Sequence, residues 1–540
     1  MKFNIFTIAT IALSASVLTA CYEDKGNYTY SDIEEVTVEF PANISAMERS
    51  ENLVFAPVVT SSLNGTIKAD DPNYEYTCRL RYQHTDENGK TQYWYDINPD
   101  KTKDINFMPD VPASSYSMWY TVTNKNTGVT HNFKGSVSII STTSEGWMVL
   151  SNNGAEKRVR LDMVYTDSKG EQKVRKGVFP ETSPEIFGAT SLIMRPAYLT
   201  STGDRIMLTA NSGSYMLNST TLAATEGQTI RNTYFASPSF PGEVITHLPI
   251  YNAGTYEAYT DVCVTTEGNC YGIYTYSAGA SFEFVMNTDQ QTNDPTYKVS
   301  PFIGSSQARP GNSAQALFYD ITNKRFMVFN RQLAGNYASG RVLYQPQEPE
   351  NANYSFVTGM DIVDMESTRF SDGEVFAVLQ DNTGHRHVYG VMVNSTSTST
   401  TMQQGNKYSD IYAESFDDAD DYAFHSQYPF MFYCKGNKVY CYDLGTRTLM
   451  STLQLNAGER VTKLKFNLYQ AASLNNLNNQ SEDFMNMQFK LIVCSTTGGE
   501  DGGIVRFYDI SSTGQMTQYK EFTGFGEEIV DVTYRERSKS

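Results

Sequence analysis

The chain has 540 residues and a formal net charge of −18 at pH 7, and its lysines and arginines form no basic tract. A chain of this length exceeds what one hydrophobic core supports, so two or more domains are expected. The acidic balance argues against nucleic acid as a partner, because non-specific binding depends on Lys and Arg displacing counterions from phosphates.

Residues 1–20 have the features of a secretory signal peptide. One charge, Lys2, precedes an apolar run that is too short and too interrupted by Thr and Ser to span a bilayer. The run ends in "LTAC" (18–21), which matches the bacterial lipobox, so we expect cleavage before Cys21 and lipidation of its thiol. Two or three acyl chains anchor a protein firmly, at about 0.8 kcal/mol per buried methylene. The alternative is an ordinary signal peptide with an incidental cysteine.

A first β domain is predicted after an acidic tether over residues 21–35. Its segments alternate between apolar and polar residues, and Gly, Asn, Asp and Pro separate them, which is typical of antiparallel strands. The segments are "VTVEF" (36–40), "YEYTCRLRY" (74–82), "YSMWYTVTN" (116–124) and "FKGSVSII" (133–140). Residues 36–142 therefore suit one β-sandwich.

From residue 145 a strand pattern repeats with a period of about 57 residues. Apolar strands begin at 147, 206, 262, 326, 375, 430 and 491, at intervals of 59, 56, 64, 49, 55 and 61 residues. The period is near that of a kelch repeat and fits one four-stranded propeller blade with generous loops. The sequence therefore predicts an all-β protein in which a seven-bladed propeller follows the sandwich, with eight blades as the alternative.

The two ends of the repeat region indicate how the ring closes. The first unit starts abruptly at "GWMVL" without an inner strand, whereas the strand 527–537 remains after the seventh unit. We expect residues 529–535 to form the innermost strand of the first blade, so that the propeller spans 145–537. The alternative is a solvated tail.

Two cysteine pairs share the spacing C-x6-C across a predicted hairpin turn. They are Cys263 with Cys270 and Cys434 with Cys441. If a two-residue turn stood at the centre of each hairpin, both cysteines would face each other, and cross-strand disulfides would be geometrically possible in an exported protein. The alternative is that all four are small buried apolar residues.

Motifs for catalysis are absent from the sequence. The chain contains no G-x-S-x-G, no H-E-x-x-H and no glycine-rich phosphate loop, and no cofactor is expected. Paired histidines on one strand, His385 and His387, lack an apparent third ligand. The acidic run Asp417, Asp418, Asp420 and Asp421 is a weak calcium candidate that lacks the glycine and terminal glutamate of an EF-hand loop. We expect no enzymatic activity, although hydrolase carboxylates dispersed over several strands leave no sequence signature.

Three loops are the best candidates for a ligand site, and we place them together at one face of the propeller. They are residues 233–243, 301–312 and 331–340. Their aromatic rings suit stacking on sugars or peptide side chains, and their arginines suit pairing with carboxylates. The candidate residues are Tyr234, Phe235, Phe240, Phe302, Arg309, Arg331 and Tyr337. The alternative is that these rings only pack their own loops. A polar insertion, 469–488, is placed at the opposite face.

The lead "CYEDKGNY" and the junction "EGWMVLSNNG" resemble the PKD-like lipoproteins of Bacteroidota. The resemblance covers essentially the whole mature chain and implies a PKD/Ig-like sandwich. Acidic residues after the lipidated cysteine resemble the signal for the outer face of the outer membrane. The resemblance implies an accessory of SusC/SusD-type importers that binds oligopeptide or glycan nutrients or the importer subunits. A pure scaffold and a propeller hydrolase are the alternatives.

Overall fold

The computed structural model describes residues 33–86, 88–195, 205–234, 242–250, 260–274, 285–288, 294–305, 315–330, 342–393, 400–468 and 486–536. The chain divides into two compact units between Ile139 and Ile140. Both units are built from antiparallel strands. Within the described residues, no helix has the length and apolarity needed to cross a membrane.

The first unit is a β-sandwich of a five-stranded and a three-stranded sheet with an additional two-stranded ribbon. The sheet orders are β2-β10-β9-β6-β7, β1-β4-β5 and β3-β8. Its strands are β1 (Val36–Glu39), β2 (Ser45–Met47), β3 (Leu53–Phe55), β4 (Val58–Ser61), β5 (Gly65–Thr66), β6 (Tyr74–Thr85), β7 (Thr91–Asp96), β8 (Ile105–Phe107), β9 (Ser114–Asn124) and β10 (Thr130–Ile140).

Period-two alternation places the core of this unit on one face of the long strands. Tyr76, Cys78 and Leu80 of β6 are at most 2% exposed, and they pack with Met118 and Tyr120 of β9. The residues between them on each strand point to the opposite face.

The second unit contains, in the described residues, seven successive sheets. Its strands are β11 (Gly146–Asn153), β12 (Arg158–Thr166), β13 (Gln172–Arg175), β14 (Ala189–Arg195), β15 (Arg205–Ala210), β16 (Tyr215–Leu217), β17 (Val244–Ile250), β18 (Thr260–Thr265), β19 (Cys270–Tyr274), β20 (Gln315–Asp320), β21 (Arg325–Asn330), β22 (Asp361–Ser367), β23 (Glu374–Gln380), β24 (Arg386–Met392), β25 (Gln403–Tyr408), β26 (Asp421–Phe424), β27 (Phe430–Lys435), β28 (Lys438–Asp443), β29 (Thr448–Gln454), β30 (Arg460–Phe466), β31 (Leu491–Thr496), β32 (Gly503–Ile510), β33 (Met516–Phe525) and β34 (Glu528–Arg535). The helical pieces are short: α1 (Ile230–Tyr234) and 3-10 turns at Glu226–Gln228, Phe370–Asp372 and Met487–Phe489.

The sheets are the seven blades of a β-propeller. The orders are β34-β11-β12-β13, β14-β15-β16, β17-β18-β19, β20-β21, β22-β23-β24-β25, β26-β27-β28-β29 and β30-β31-β32-β33. Isolated β-bridges extend the shorter sheets by a further strand position. Examples are the bridges of Tyr215 with Thr229 in blade 2 and of Tyr271 with Val285 in blade 3. The predicted seven-bladed architecture is therefore confirmed.

The fourth blade begins one strand earlier than the repeat pattern predicted. The apolar segment at 326 is the third strand of its blade, because β20 precedes it and Gly304 bridges Leu317 of β20 on the inner side. The uneven intervals of 64 and 49 residues in the sequence pattern arise from this shift. Counted from β20 instead, the fourth unit is spaced like its neighbours.

The first and last parts of the propeller meet in blade 1. β34 pairs with β11 as its innermost strand, from Gly146 opposite Arg535 to Asn152 opposite Glu528. This is the pairing expected from the surplus strand. Trp147, at the start of "GWMVL", packs against both sides of this closure. Its ring centroid lies 4.8 Å from that of Phe507 in blade 7 and 5.0 Å from that of Tyr534 in β34. Gly146 has φ +134°, and a Cβ there would lie 2.0 Å from the Val164 carbonyl oxygen.

Hydrogen bonds through side chains connect the inner strands around the whole ring. The links run from Leu192 N–H to Asp531, Thr190 hydroxyl to Ile245 carbonyl, Thr246 hydroxyl to Pro301 carbonyl, Ser305 N–H to Ser367 hydroxyl, Phe424 N–H to Glu366, Leu464 N–H to Asp421, and Lys465 to Asp531. Each neighbouring pair of blades is therefore joined near the central axis.

Neither predicted disulfide fits the observed hairpins. Gly436, at φ +59°, places the turn one residue early, so that Cys434 lies opposite Val439 and Cys441 opposite Phe432. In the other hairpin Cys263 lies opposite Tyr271 and Cys270 opposite Val264, which puts the two thiols on opposite faces. The possible cross-strand bonds required a turn at the centre of each spacing, and the alternative of four small buried residues is the one that the structure confirms. All six cysteines of the described residues are buried and free.

We predict that these six thiols do not react with iodoacetamide in the native protein. Burial raises the pKa of each thiol, so the reactive thiolate is scarce. After unfolding without reductant, mass spectrometry of a chain with Cys21→Ser should count six alkylated cysteines. A count of four or two would show that disulfides form.

We predict that removal of residues 528–540 unfolds the propeller, because it exposes blade 1 and removes two links of the ring. Ile529 and Val532 are fully buried, and each contributes about 1.5–3 kcal/mol of burial, a large share of a total stability of about 5–15 kcal/mol. Circular dichroism during heating measures the loss. Truncation after Glu536 is the control and should leave the unfolding midpoint unchanged. An equal midpoint in both truncations would contradict the role of β34.

Candidate functional site: the charged pocket of the propeller channel

A pocket of about 340 Å³ lies where the inner strands of the propeller converge. Residues of β14, β17, β22, β30 and β34, from five of the seven blades, form its wall. The C-terminal halves of β22, β30 and β34 contribute, so the pocket lies toward the end of the channel at which the inner strands finish. Apolar side chains make up part of the wall: Leu192, Met194, Leu248, Met365, Phe466 and Val530.

The same irregularity occurs in each of these five inner strands. One residue is bulged out of the pairing with the second strand: Thr190, Ile245, Val363, Thr462 and Val530. A bulge re-aims the residue that follows it. The residues after the bulges are Ser191, Thr246, Asp364, Lys463 and Asp531. Equivalent backbone positions thus carry polar or charged groups around the axis.

Two aspartates of inner strands, Asp531 after the bulge of β34 and Asp421 at the start of β26, link neighbouring blades. Asp531 accepts the backbone N–H of Leu192 at 2.8 Å, and Asp421 accepts that of Leu464 at 2.6 Å. Each carboxylate also binds a lysine of β30, with Lys465 at 2.5 Å from Asp531 and Lys463 at 2.9 Å from Asp421. Because each carboxylate accepts from both a backbone N–H and an ammonium group, its negative charge is stabilised away from bulk water.

The strand β22 adds two further acids close to Lys463. Burial raises the pKa of Asp364 to about 7, and the Lys463 charge only partly offsets this effect. Burial and the nearby Asp364 raise the pKa of Glu366 well above its usual range. Asp364 is 9% exposed, and its Oδ2 atom has no hydrogen-bond partner among the described residues. One lysine cannot neutralise three carboxylates, so part of this cluster holds protons near neutral pH.

The pocket therefore offers ligands both ammonium and carboxyl groups between apolar walls. Lys463 and Lys465 each keep about a quarter of the side chain exposed. Such a surface suits a ligand that carries charges of both signs. Among the described side chains, no group of three or more His, Cys, Asp or Glu is arranged to hold a metal ion.

Most predicted ligand residues lie outside the described residues. This applies to Phe235, Phe240, Arg309, Arg331 and Tyr337, and at Tyr234 only the backbone in α1 is described. Phe302 is described, and it packs half-buried against the core between blades 4 and 5. Cys21 also lies outside the described residues.

The three predicted loops do not join the same ends of their blades. Residues 233–243 lead into an inner strand, β17, as expected. The segment 301–312 instead starts within the innermost position of blade 4 and leads from it to β20, and 331–340 follows the third position, β21. In an antiparallel blade these two connections leave from the end opposite to 233–243. The placement of all three at one face is wrong because of the early start of blade 4.

The acidic run at 417–421 is not a calcium site in this structure, because its carboxylates diverge. Asp417 pairs with His385 at 2.9 Å, and Asp418 and Asp420 pair with Lys435. Asp421 points into the ring toward Lys463. The four acids are therefore divided among three different partners, with Asp418 and Asp420 sharing Lys435.

The paired histidines are held in the same polar hairpin. His385 contacts Asp417, and His387 lies 3.0 Å from Asp381. Their rings lie 4.9 Å apart in an edge-to-face arrangement. This arrangement matches a polar hairpin better than a ligand set.

Sequence reasoning missed Asp364, Glu366, Lys463, Lys465 and Asp531. A signal was present, because each lies inside a short apolar strand at a place where a charge is costly. The strands "DIVDMES", "RVTKLKF" and "EIVDVTYR" all show it. What the sequence did not show is that these strands share one axis.

Comparison with known family models gave one match. Residues 21–203 match the model of the PKD-like family. This match spans the sandwich, blade 1 and part of blade 2. No curated protein is similar enough to this chain to count as a relative.

Solved structures similar to this chain are β-propeller proteins at low identity. A quinoprotein alcohol dehydrogenase-like protein from Bacteroides thetaiotaomicron has 10% identity and a TM-score of 0.45, with 92% of this chain and 97% of that chain covered. The Swd1 propeller domain of Myceliophthora thermophila has 10% identity and a TM-score of 0.38, covering 67% and 96%. Sqt1 of Saccharomyces cerevisiae has 10% identity and a TM-score of 0.38, covering 72% and 88%.

We predict that Lys463→Met destabilises the propeller in a pH-dependent way. At pH 8 the substitution leaves Asp421 and its acidic neighbours without their cation, which costs about 3–5 kcal/mol. At pH 5 the cost should be smaller, because Asp364 and Glu366 have raised pKa values and bind protons in the folded state.

Urea unfolding of both proteins at pH 5 and pH 8 measures the difference. Lys169→Met, at an exposed turn outside the pocket, is the control. A loss for Lys463→Met that is equal at both pH values would contradict the proposed buried acids.

Proposed function

We propose that this protein is a non-catalytic surface lipoprotein of the outer membrane, anchored through Cys21, which binds a nutrient as an accessory of a SusC/SusD-type importer. The channel pocket is the observation that carries the binding role. It combines apolar walls from five strands with lysines and carboxyl groups at fixed positions on three of them, β22, β30 and β34. A β-propeller typically serves as a rigid frame for binding, and no catalytic motif was found in the sequence.

Among nutrients, an oligopeptide fits this pocket better than a neutral glycan. A peptide carries an ammonium and a carboxylate, which match the acids of β22 and the lysines of β30, and its side chains match Leu192, Leu248 and Phe466. A neutral glycan would leave these charges without ionic partners in a partly desolvated site.

Two observations support the anchor. The match to the PKD-like family begins at residue 21, where the lipobox predicts the mature N-terminus. The predicted tether ends near Glu34, whose buried carboxylate accepts hydrogen bonds from Asn124 at 2.7 Å and from Ser61 at 2.5 Å. A tether that ends in such fixed contacts attaches a folded unit to a membrane without entering it.

We predict that the mature chain with Cys21→Ser binds short peptides and not neutral oligosaccharides in isothermal titration against pools of each. Lys465→Met should weaken peptide binding by about tenfold or more, since it removes an ammonium group that faces the pocket. Lys169→Met should leave the affinity unchanged. Far-UV circular dichroism spectra equal to that of the parent chain would show that both variants remain folded.

Absence of heat with both pools would contradict nutrient binding. If importer subunits then co-purified with the protein from outer membranes, a scaffold function would replace it. Turnover of a peptide or glycan that one Asp or Glu substitution abolishes would contradict the non-catalytic assignment.

A further inference from the structure

Two of the three tryptophans in the chain are exposed on the sandwich and are not part of its core. Trp94 of β7 is 37% exposed and Trp119 of β9 is 41% exposed, whereas the third, Trp147, is buried in the propeller. The core of the sandwich lies on the opposite face of the same sheet, where Cys78, Leu80 and Met118 are fully buried. Large exposed apolar groups that cluster mark an interaction site more often than isolated ones do.

The two rings form a corner and not a flat surface. Their centroids lie 5.9 Å apart, and their planes meet at 83°. Trp94 and Trp119 belong to strands on either side of β6, so the rings reach over that strand toward each other. Tyr93, half-exposed, extends the aromatic surface at the sheet edge.

Three cations and one carboxylate, that of Asp96 opposite Arg79, surround this corner. Arg81 lies opposite Trp94, and its guanidinium carbon is 5.1 Å from the Trp94 ring and 5.5 Å from the Tyr93 ring. Trp119 lies between Arg79 on β6 and Lys134 on β10 in the strand register. No ion pair within 4.0 Å involves Arg79, Arg81 or Lys134 in the part of the chain that the structure describes. Three such cations on one face stand out in a chain with a net charge of −18.

Small polar side chains complete the face. Ser117 lies opposite Ser136, and Thr121 donates a hydrogen bond of 2.8 Å to Asn132. Hydroxyl and amide groups of this kind hydrogen-bond to the hydroxyls of a sugar. A membrane surface would fit this face less well, since insertion of the rings would bury these polar groups without partners.

We propose that this face, defined by Tyr93, Trp94, Trp119, Arg79, Arg81 and Lys134, binds an acidic oligosaccharide. The apolar C–H face of a sugar ring stacks on one indole and its edge meets the other, while the cations pair with carboxylate or sulfate groups. This site lies on a different unit from the channel pocket, and it stands whether or not that pocket binds peptides.

Titration of the mature chain, with Cys21→Ser, tests the proposal through its tryptophan fluorescence. The probes are oligogalacturonate, chondroitin sulfate oligomers and neutral cello-oligosaccharides. We expect saturable quenching by at least one acidic probe and about tenfold or more weaker binding by the neutral one. Trp147 serves as an internal background, since it is buried in the other unit.

Variants assign the binding to the corner. Trp94→Ala and Trp119→Ala should each lower affinity about tenfold or more, and Arg79→Gln with Arg81→Gln should remove the preference for acidic over neutral sugars. Trp119→Phe keeps an apolar ring and controls for folding. Tyr412→Ala removes an aromatic ring that is 83% exposed on the propeller, and it should have no effect.

Three results would overturn the proposal: no quenching by any acidic probe at millimolar concentration, binding that both tryptophan variants retain, or equal binding of the neutral probe. Sedimentation with anionic phosphatidylglycerol vesicles that Trp94→Ala abolishes, together with no sugar binding, would also overturn it in favour of a membrane-facing role. If substitution of Arg79, Arg81 or Lys134 weakened peptide binding instead, these cations would belong to the peptide site. That result would contradict a separate site on the sandwich.

Discussion

The pairing of β34 with β11 is the constraint on which the propeller depends. A blade of three or four strands cannot bury both faces alone, so each blade needs a neighbour on each side. The chain travels once around the ring, and blade 1 therefore lacks an inner strand until the last strand returns to it. Asp531 makes the return more than a sheet contact. Its carboxylate accepts a hydrogen bond from Leu192 of blade 2 and forms an ion pair with Lys465 of blade 7. One side chain of blade 1 therefore joins the three blades at the closure.

The same requirement explains why charges lie in the channel. Inner strands are too far apart at the axis to form backbone ladders with one another, and side chains must make the links. The bulge that five inner strands share turns one residue of each toward the axis, and Asp531 uses that position to bind the next blade, as Asp421 does from the start of β26. Asp364 occupies the equivalent position without an equivalent link and keeps an unpaired oxygen. The site that we interpret as functional is thus a departure from a structural pattern, which is where binding groups are expected in a rigid frame.

The two units present different chemistry. The propeller gathers charges of both signs in a concave pocket, whereas the sandwich carries aromatic rings and cations on an open sheet face. A concave site with fixed charges selects a small ligand, and an open aromatic face accommodates an extended chain. These properties are compatible in one protein, because the two sites lie on different units.

The sequence by itself determined the strand content, the seven-unit repeat and the need for a closing strand, because each follows from local alternation and from counting. It did not determine the turn at Gly436, because that turn depends on one backbone conformation, and the turn excludes the predicted disulfide. It also did not determine where blade 4 starts, because the apolar pattern does not show which strand of a blade each segment forms. Tertiary structure alone decided the site. Glu366, Lys463 and Asp531 are about 70–170 residues apart in the chain, and only ring closure brings them to one pocket. Likewise, Trp94 and Trp119 become neighbours because β6 lies between their strands, a pairing order that alternation along a single strand cannot encode.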